Sequence, residues 1–250
     1  MSGVHVVDKL RKTKALLRHE RLKMYVPRTV KMSKSSLWSM LQQYSIVYAK
    51  PVRGTFGKGV MRAEQLDGGD SGYLLRRGTT STRFPDFSSL YKGIQRVKLN
   101  RPYLVQQGIE LLRYRRRRFD LRVMVQKNPS GRWETTGIIG RLAQPGKIVT
   151  NYHSGGKPMP VETLLKPHLS PAQTQEMVRF LNRFGTEVAH ALGRSFPRLN
   201  TIGIDVALDR RLHPWILEVN TNPDPYIFKK LKDPRVFRKI YRYARKLGRV

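Results

Sequence analysis

Between Trp215 and Asp224 the chain reads WILEVNTNPD. The apolar residues mark a buried strand, yet the run carries Glu218, Asn220 and Asn222 before Pro223 locks the turn. Burying an ionised carboxylate is costly unless it is paired or holds a metal. Two arrangements satisfy that condition. In one, Asn222 caps an Asx-turn and Glu218 sits at the surface. In the other, the strand end presents oxygen ligands to a site.

The rest of the chain decides between them. Its 250 residues suffice for one large domain or two small lobes, and 39% hydrophobic content excludes a wholly disordered chain. There is no cysteine, so disulfides and thiolate metal sites are excluded. No apolar run is long enough to span a bilayer, and the N-terminus lacks the apolar core of a signal peptide, which makes the cytoplasm the default location. Charge is the outlier. With 49 Lys and Arg against 17 Asp and Glu, the net is +32, a field that attracts polyanions such as nucleic acid, anionic surfaces or acidic polymers.

Periodicity predicts a basic helix over residues 8–24, capped by Asp8 with Leu10, Thr13 and Leu17 on one face. MYVPRTV is extended and SKSSLWSMLQQY helical. SIVYAKPV and VMRAEQ form a hairpin whose tip is GTFGKG. GDSGYLLRRGTTSTRFPDF gives a strand and a polar loop, SLYKGIQRV a helix and YLVQQGIEL an apolar strand. DLRVMVQ and WETTGIIGRLA pair around KNPSG. Residues 171–192 are the clearest helix, with Pro171 near its start and Gly193 just past its end. TIGIDVAL and PWILEVN form a second hairpin, and the tail is a basic helix with Phe237, Ile240, Tyr241, Ala244 and Leu247 inward. Strands joined mainly by hairpins, with interspersed helices, predict an α+β fold with antiparallel sheets in two lobes.

Three further constellations could carry chemistry. The glycine-rich tip after Lys50 lets backbone N–H groups approach an anion, although Gly54, Gly57 and Gly59 also suit an ordinary turn. It is neither a Walker A loop nor a dinucleotide fingerprint. Asp120 and Arg122 lie two apart on a strand and share a face, with Arg141 on the next strand and Asn151 beyond it. Two arginines there suit a phosphoryl or carboxylate group, or else a salt-bridge ladder joining Asp120 to Arg122 or Arg141. Asp205, Glu218 and Asn220 on adjacent hairpin strands offer hard oxygens of the kind Mg²⁺ takes, rather than the nitrogen or sulfur expected for Zn²⁺. The histidines 153, 168, 190 and 213 show no ligand spacing and read as ordinary surface or loop residues.

Taken in order, Lys9, Lys50, the glycine-rich hairpin, an apolar strand, Asp-x-Arg, an Arg, Asn with Gly-Gly, Asp and Glu-x-Asn resemble the ATP-grasp superfamily. The pattern is most similar to the endospore coat-associated YheC/YheD-type proteins, over roughly Asp8 to Pro225. The resemblance implies a single ATP-grasp domain with two antiparallel lobes sandwiching ATP. About 45–110 would be a lid lobe, about 111–228 the nucleotide and metal lobe, and 229–250 a basic helix. It implies that Lys9 and Lys50 lie on the phosphates and that the loop of Gly54, Gly57, Lys58 and Gly59 is a mobile lid. Gln106, Gln107 and Ile109 would form the hinge beside adenine, Asp120 would meet the ribose, and Asn151 would belong to the nucleotide site. Asp205, Glu218 and Asn220 would hold Mg²⁺, while Arg122 and Arg141 steady the transferred phosphoryl group and the acyl substrate. Asn222 stays with the turn.

The expected activity is ligation of a carboxylate to an amine or thiol through an acyl phosphate, on a peptide or spore-surface precursor. The additional N-terminal domain of many relatives is expected to be absent, or supplied by a partner. GRLA departs from the ARIP form of glutathione synthetase, and the run RYRRRRF, Arg113 to Phe119, is more basic than nucleotide binding needs. That surplus reads either as a solvated face or as docking to an acidic peptide, a coat protein or nucleic acid. Two other functions compete: a non-catalytic ATP-binding coat protein, and a nucleic-acid binder, for which no motif is present.

Overall fold

The computed structural model describes residues 5–66 and 72–250. The chain builds two antiparallel sheets. The first is ordered β1 (Thr29–Lys31), β6 (Tyr103–Gln107), β2 (Ile46–Pro51), β3 (Met61–Leu66), β4 (Gly72–Arg77), β5 (Thr80–Phe84). One face is covered by α2 (Lys34–Tyr44) and α3 (Phe87–Val97), which bury Leu37, Met40, Leu41, Leu90 and Ile94 against Val47, Ala49, Met61, Ala63 and Val105. Period-2 alternation then leaves Tyr48, Lys50 and Gln106 on the opposite face.

The second sheet is ordered β10 (Lys157–Met159), β9 (Trp133–Leu142), β8 (Arg117–Lys127), β11 (Thr201–Leu208), β12 (Pro214–Asn220), with the short β7 (Arg113–Tyr114) paired to β8. Nearly all of β8 and all of β11 are buried, because both faces are covered. On one face Phe119, Leu121, Val123 and Val125 meet the long helix α5 (Pro171–Ser195), with α4 (Val161–Leu165) and α1 (Lys9–Leu17) beside it. On the other face the same strand carries Asp120, Arg122, Met124 and Gln126. The last helix, α6 (Pro234–Lys246), covers only the Met124 end, with Ile240 packed against Met124 and Ile139. The Asp120 and Arg122 end opens into the cleft between the sheets.

Local signals account for the helix starts. Ser33 and Ser170 form capping boxes with Ser36 and Gln173, and Asp8, Asp86 and Asp233 each accept a first-turn N–H. Four expectations need correction. The first helix stops at Leu17, and its buried face is Lys12, Ala15 and Leu16, one residue round from the stripe expected, so Leu17 is exposed. MYVPRTV begins as a 3-10 turn over Lys23–Tyr25 before β1. The segment read as a strand and loop makes two strands, β4 and β5; its first residues, 69–71, lie outside the described ones. Gly193 sits inside α5, which runs on to Ser195, so it does not mark the helix end. No helix among the described residues is long and apolar enough to cross a membrane.

Candidate functional site

The uncovered faces of the two sheets enclose a cleft of about 260 Å³. From the first sheet, Lys50 projects into it and its Nζ donates to Gln106 Oε1 at 2.5 Å; Gln106 Nε2 in turn donates to Thr29 Oγ1. Burial pushes the Lys50 ammonium down to about 8, with Lys9 adding repulsion against the opposing pull of Glu218, Asp205 and Asp120. The chain leaves β6 along the cleft wall through Gln107 and Ile109. The Gln107 N–H is already donated to the Arg28 carbonyl, whereas the Ile109 backbone N–H has no partner among the described residues.

The roof is the glycine-rich loop. Gly54, Gly57 and Lys58 line the cleft; Gly59 does not. Gly59 has φ +76°, and a Cβ there would come within 2.7 Å of the Tyr103 hydroxyl, which donates to the Gly59 carbonyl. Its left-handed backbone lets the returning strand pass close to Tyr103. Phe56 also adopts a positive φ of 60°, an outlier for so large a side chain. Contacts to a distant segment hold it there. Ser154 Oγ donates to the Phe56 carbonyl at 2.9 Å, and the Phe56 ring lies 4.2 Å from that of His153.

Strand register builds the floor. Asp120 on β8 stands opposite Arg141 on β9, and Arg122 stands opposite Asp205 on β11, which stands opposite Glu218 on β12. Arg141 donates to both oxygens of Asp120, at 2.9 and 2.5 Å, and lies 2.9 Å from the second oxygen of Asp205. Arg122 Nε donates to the first oxygen of Asp205 at 2.6 Å. Burial alone would raise the Asp205 carboxyl, but the two guanidiniums hold it well below the usual range. Arg141, although buried, is held above its ordinary value by its two aspartates.

Both oxygens of Asp120 accept from Arg141, the salt-bridge ladder that the residue pattern allowed, and the carboxylate also lines the cleft. At the end of β12, Glu218 and Asn220 share a face. Lys9 Nζ sits 3.3 Å from Glu218 and donates to the Gly54 carbonyl at 2.7 Å, tying the loop to that strand. Two carboxylates and a carboxamide on one sheet face are the hard donor set that Mg²⁺ takes. They fit such an ion through Glu218 and Asn220 foremost, since arginines engage both oxygens of Asp205. Asn151 lies on the cleft wall, at the start of the short turn that carries His153.

Sequence reasoning missed several cleft residues. Tyr48 lies two before Lys50, and that spacing was the available signal. His153, read as an ordinary loop histidine, lines the cleft 3.8 Å from Asp224. Asn222 also lines it, and its Oδ1 accepts from Arg249, a contact from the chain's far end that no local pattern reveals.

The model for YheC/D-like ATP-grasp proteins matches residues 2–247. This chain belongs to that family. It is 29% identical to the endospore coat-associated protein YheD of Bacillus subtilis over 192 residues, 74% of this chain and 41% of YheD. It is 23% identical to YheC of the same organism over 212 residues, 83% of this chain and 57% of YheC. The chain thus spans about half the length of these curated relatives. Among solved structures, D-cycloserine synthetase DcsG superimposes with a TM-score of 0.58 at 13% identity, over 96% of this chain and 70% of DcsG. At that identity the likeness is one of fold, the α+β ATP-grasp fold expected from the sequence.

Proposed function

We propose that this ATP-grasp protein is an ADP-forming ligase that activates a carboxylate by phosphorylation and passes it to an amine or thiol. The reading rests on one arrangement: Lys50 and Lys9 face Glu218 and Asn220 in a cleft roofed by a glycine-rich loop. Phosphoryl transfer asks a protein for position and charge neutralisation more than covalent chemistry. The lysines and the loop N–H groups supply positive charge for the phosphates, and Ile109 N–H supplies a free donor for the base. The substrate carboxylate oxygen attacks the γ-phosphorus, the β–γ bridging P–O bond breaks and ADP leaves. The amine nitrogen then attacks the acyl carbon, phosphate departs with the C–O bond pair, and the amine proton goes to solvent. Arg122 and Arg141, held rigid by their aspartates, border the transferred group. Mg²⁺ held by Glu218 and Asn220 would supply further neutralisation of phosphate charge.

Calorimetry of Mg²⁺-ATP binding to wild type and Glu218→Ala, at moderate and high salt, tests the reading. Micromolar binding that survives salt and is lost in the variant supports a built nucleotide site. Equal, salt-abolished binding would leave only the diffuse field of a +32 protein. ADP release dependent on an added acid and amine supports ligation, and AMP release sinks it. The coat-associated relatives make acidic peptides and coat proteins the first acids to screen. A second reading, nucleotide binding without turnover, draws on the closure of Arg122 and Arg141 upon Asp120 and Asp205, and predicts binding with no ADP under any mixture.

A further inference from the structure

A second cavity, of about 330 Å³, opens on the other side of the chain segment leaving β6 and shares Ile109 and Leu111 with the main cleft. Its apolar wall includes Ile46 and Leu112, while its polar lining is mostly cationic, with Arg62, Arg113 and Arg118 prominent. Arg62 comes from β3 of the first sheet; Arg113 and Arg118 come from β7 and β8 of the second. Arg76 stands opposite Arg62 across β3 and β4.

The charges here do not balance. Arg62 is paired with Glu64, and Arg210 with Glu110. The guanidiniums of Arg76, Arg113 and Arg118 have no carboxylate or hydrogen-bond acceptor among the described residues, and Nε of Arg76 is buried without a partner. Burial pushes the Arg118 guanidinium down, and repulsion from Arg62, Arg113 and Arg76 adds to it against the pull of Tyr48. Arg62, Arg113 and Arg118 line one cavity from two sheets, and Arg76, though not a lining residue, lies beside Arg62. Arg76 and Arg118 are half-buried and Arg113 is exposed, and like charges held this close stay unfavourable until a counter-ion joins them. Guanidinium forks bind phosphate and carboxylate oxygens in bidentate fashion.

We propose that this arginine-lined cavity binds a small multivalent oxyanion, of the phosphate or polycarboxylate type, that bridges the two sheets. Arginines from both sheets then share one ligand, and their mutual repulsion becomes attraction through it. The site is independent of the ligase reading. Ile109 and Leu111 wall both cavities, so the two lie back to back across one chain segment.

The test is calorimetry and thermal unfolding of the whole chain at constant ionic strength, with pyrophosphate and citrate as separate probes. Four proteins are compared: wild type, Arg76→Gln/Arg118→Gln, Lys50→Met in the main cleft, and Arg238→Gln/Arg245→Gln on the exposed face of α6. Saturable binding is expected in wild type, weakened about tenfold or more in the Arg76/Arg118 variant, and retained in the other two. The anion should raise the melting temperature of wild type and not of that variant, which without anion should be at least as stable, having lost repulsion. Arg113→Gln, at an exposed position, should lose part of the affinity without risk to folding. Preference for pyrophosphate or for citrate identifies which oxyanion type the site takes. Loss of binding in the α6 variant, loss in Lys50→Met, or no saturable binding of either probe overturns the proposal.

Discussion

Asp205 and Arg122 meet at 2.6 Å across β11 and β8, and the other oxygen of Asp205 faces Arg141, so one carboxylate touches two buried guanidiniums, the second of them shared with Asp120. Removing it leaves both partly uncompensated. Asp205→Asn should therefore lower unfolding free energy by about 3–5 kcal/mol. Asp120→Asn should cost less, since Arg141 retains Asp205. Urea denaturation of the two variants reads the order directly, and a larger loss for Asp120→Asn would mean the network is divided otherwise.

Lys50 gives a pH signature. Its folded value of about 8 lies below the roughly 10.4 of a free lysine, so between those values the unfolded chain binds the extra proton. Stability from this group therefore rises with pH across that window, and it gains nothing below about 8. Nucleotide phosphates favour the charged form. Binding above pH 8 should thus take up a proton, and affinity should fall by up to about tenfold per pH unit. Lys50→Arg, charged throughout, should flatten the profile, as calorimetry in buffers of differing ionisation heat would show.

Phe56 is strained at φ 60° and held by Ser154 and His153. Phe56→Gly relieves the strain and removes the ring contact, leaving the loop free to open. Nucleotide dissociation should accelerate several-fold while association changes little. Stopped-flow with a fluorescent ATP analogue separates the two rates.

Gly59→Ala places a methyl 2.7 Å from the Tyr103 hydroxyl on a backbone at φ +76°. The substitution should destabilise the chain by about 1–3 kcal/mol. Adding Tyr103→Phe removes the oxygen but leaves Leu99 at 2.8 Å and deletes the hydrogen bonds to the Gly59 carbonyl and from the Leu99 N–H, so it should recover little of the loss. Full recovery in thermal melts would mean that the backbone conformation costs nothing.

The hairpin pattern and strand alternation made the two-sheet architecture legible, since strands covered on one face carry their own period. The Glu218 and Asn220 end of β12 was readable because polar oxygens there broke an apolar run. Register was not readable. Whether Asp120 faces Arg122 or Arg141 depends on how β8 and β9 pair, and only the three-dimensional pairing joins Asp120 to Arg141. Nor could local sequence show that His153 meets Phe56 or that Arg249 reaches Asn222, because each contact closes a loop of tens of residues. The face of α1 turned out rotated because Lys12, a residue that reads as solvent-facing, is buried.

The face that carries Asp120 and Arg122 continues along β8 to Met124 and Gln126, where α6 lies on it and Gln126 donates to the Ile240 carbonyl. Between that helix and the cleft sits the 3-10 turn Tyr226–Lys230, whose Ile227 lines the cleft and packs in the same cluster as Met124 and Ile240. The helix in turn needs Gly137 beneath it, where a Cβ would come within 2.8 Å of Ile240 and Val236. The apolar end of the cleft thus rests on a segment that brings no ligating group of its own, and reach and chemistry can vary separately.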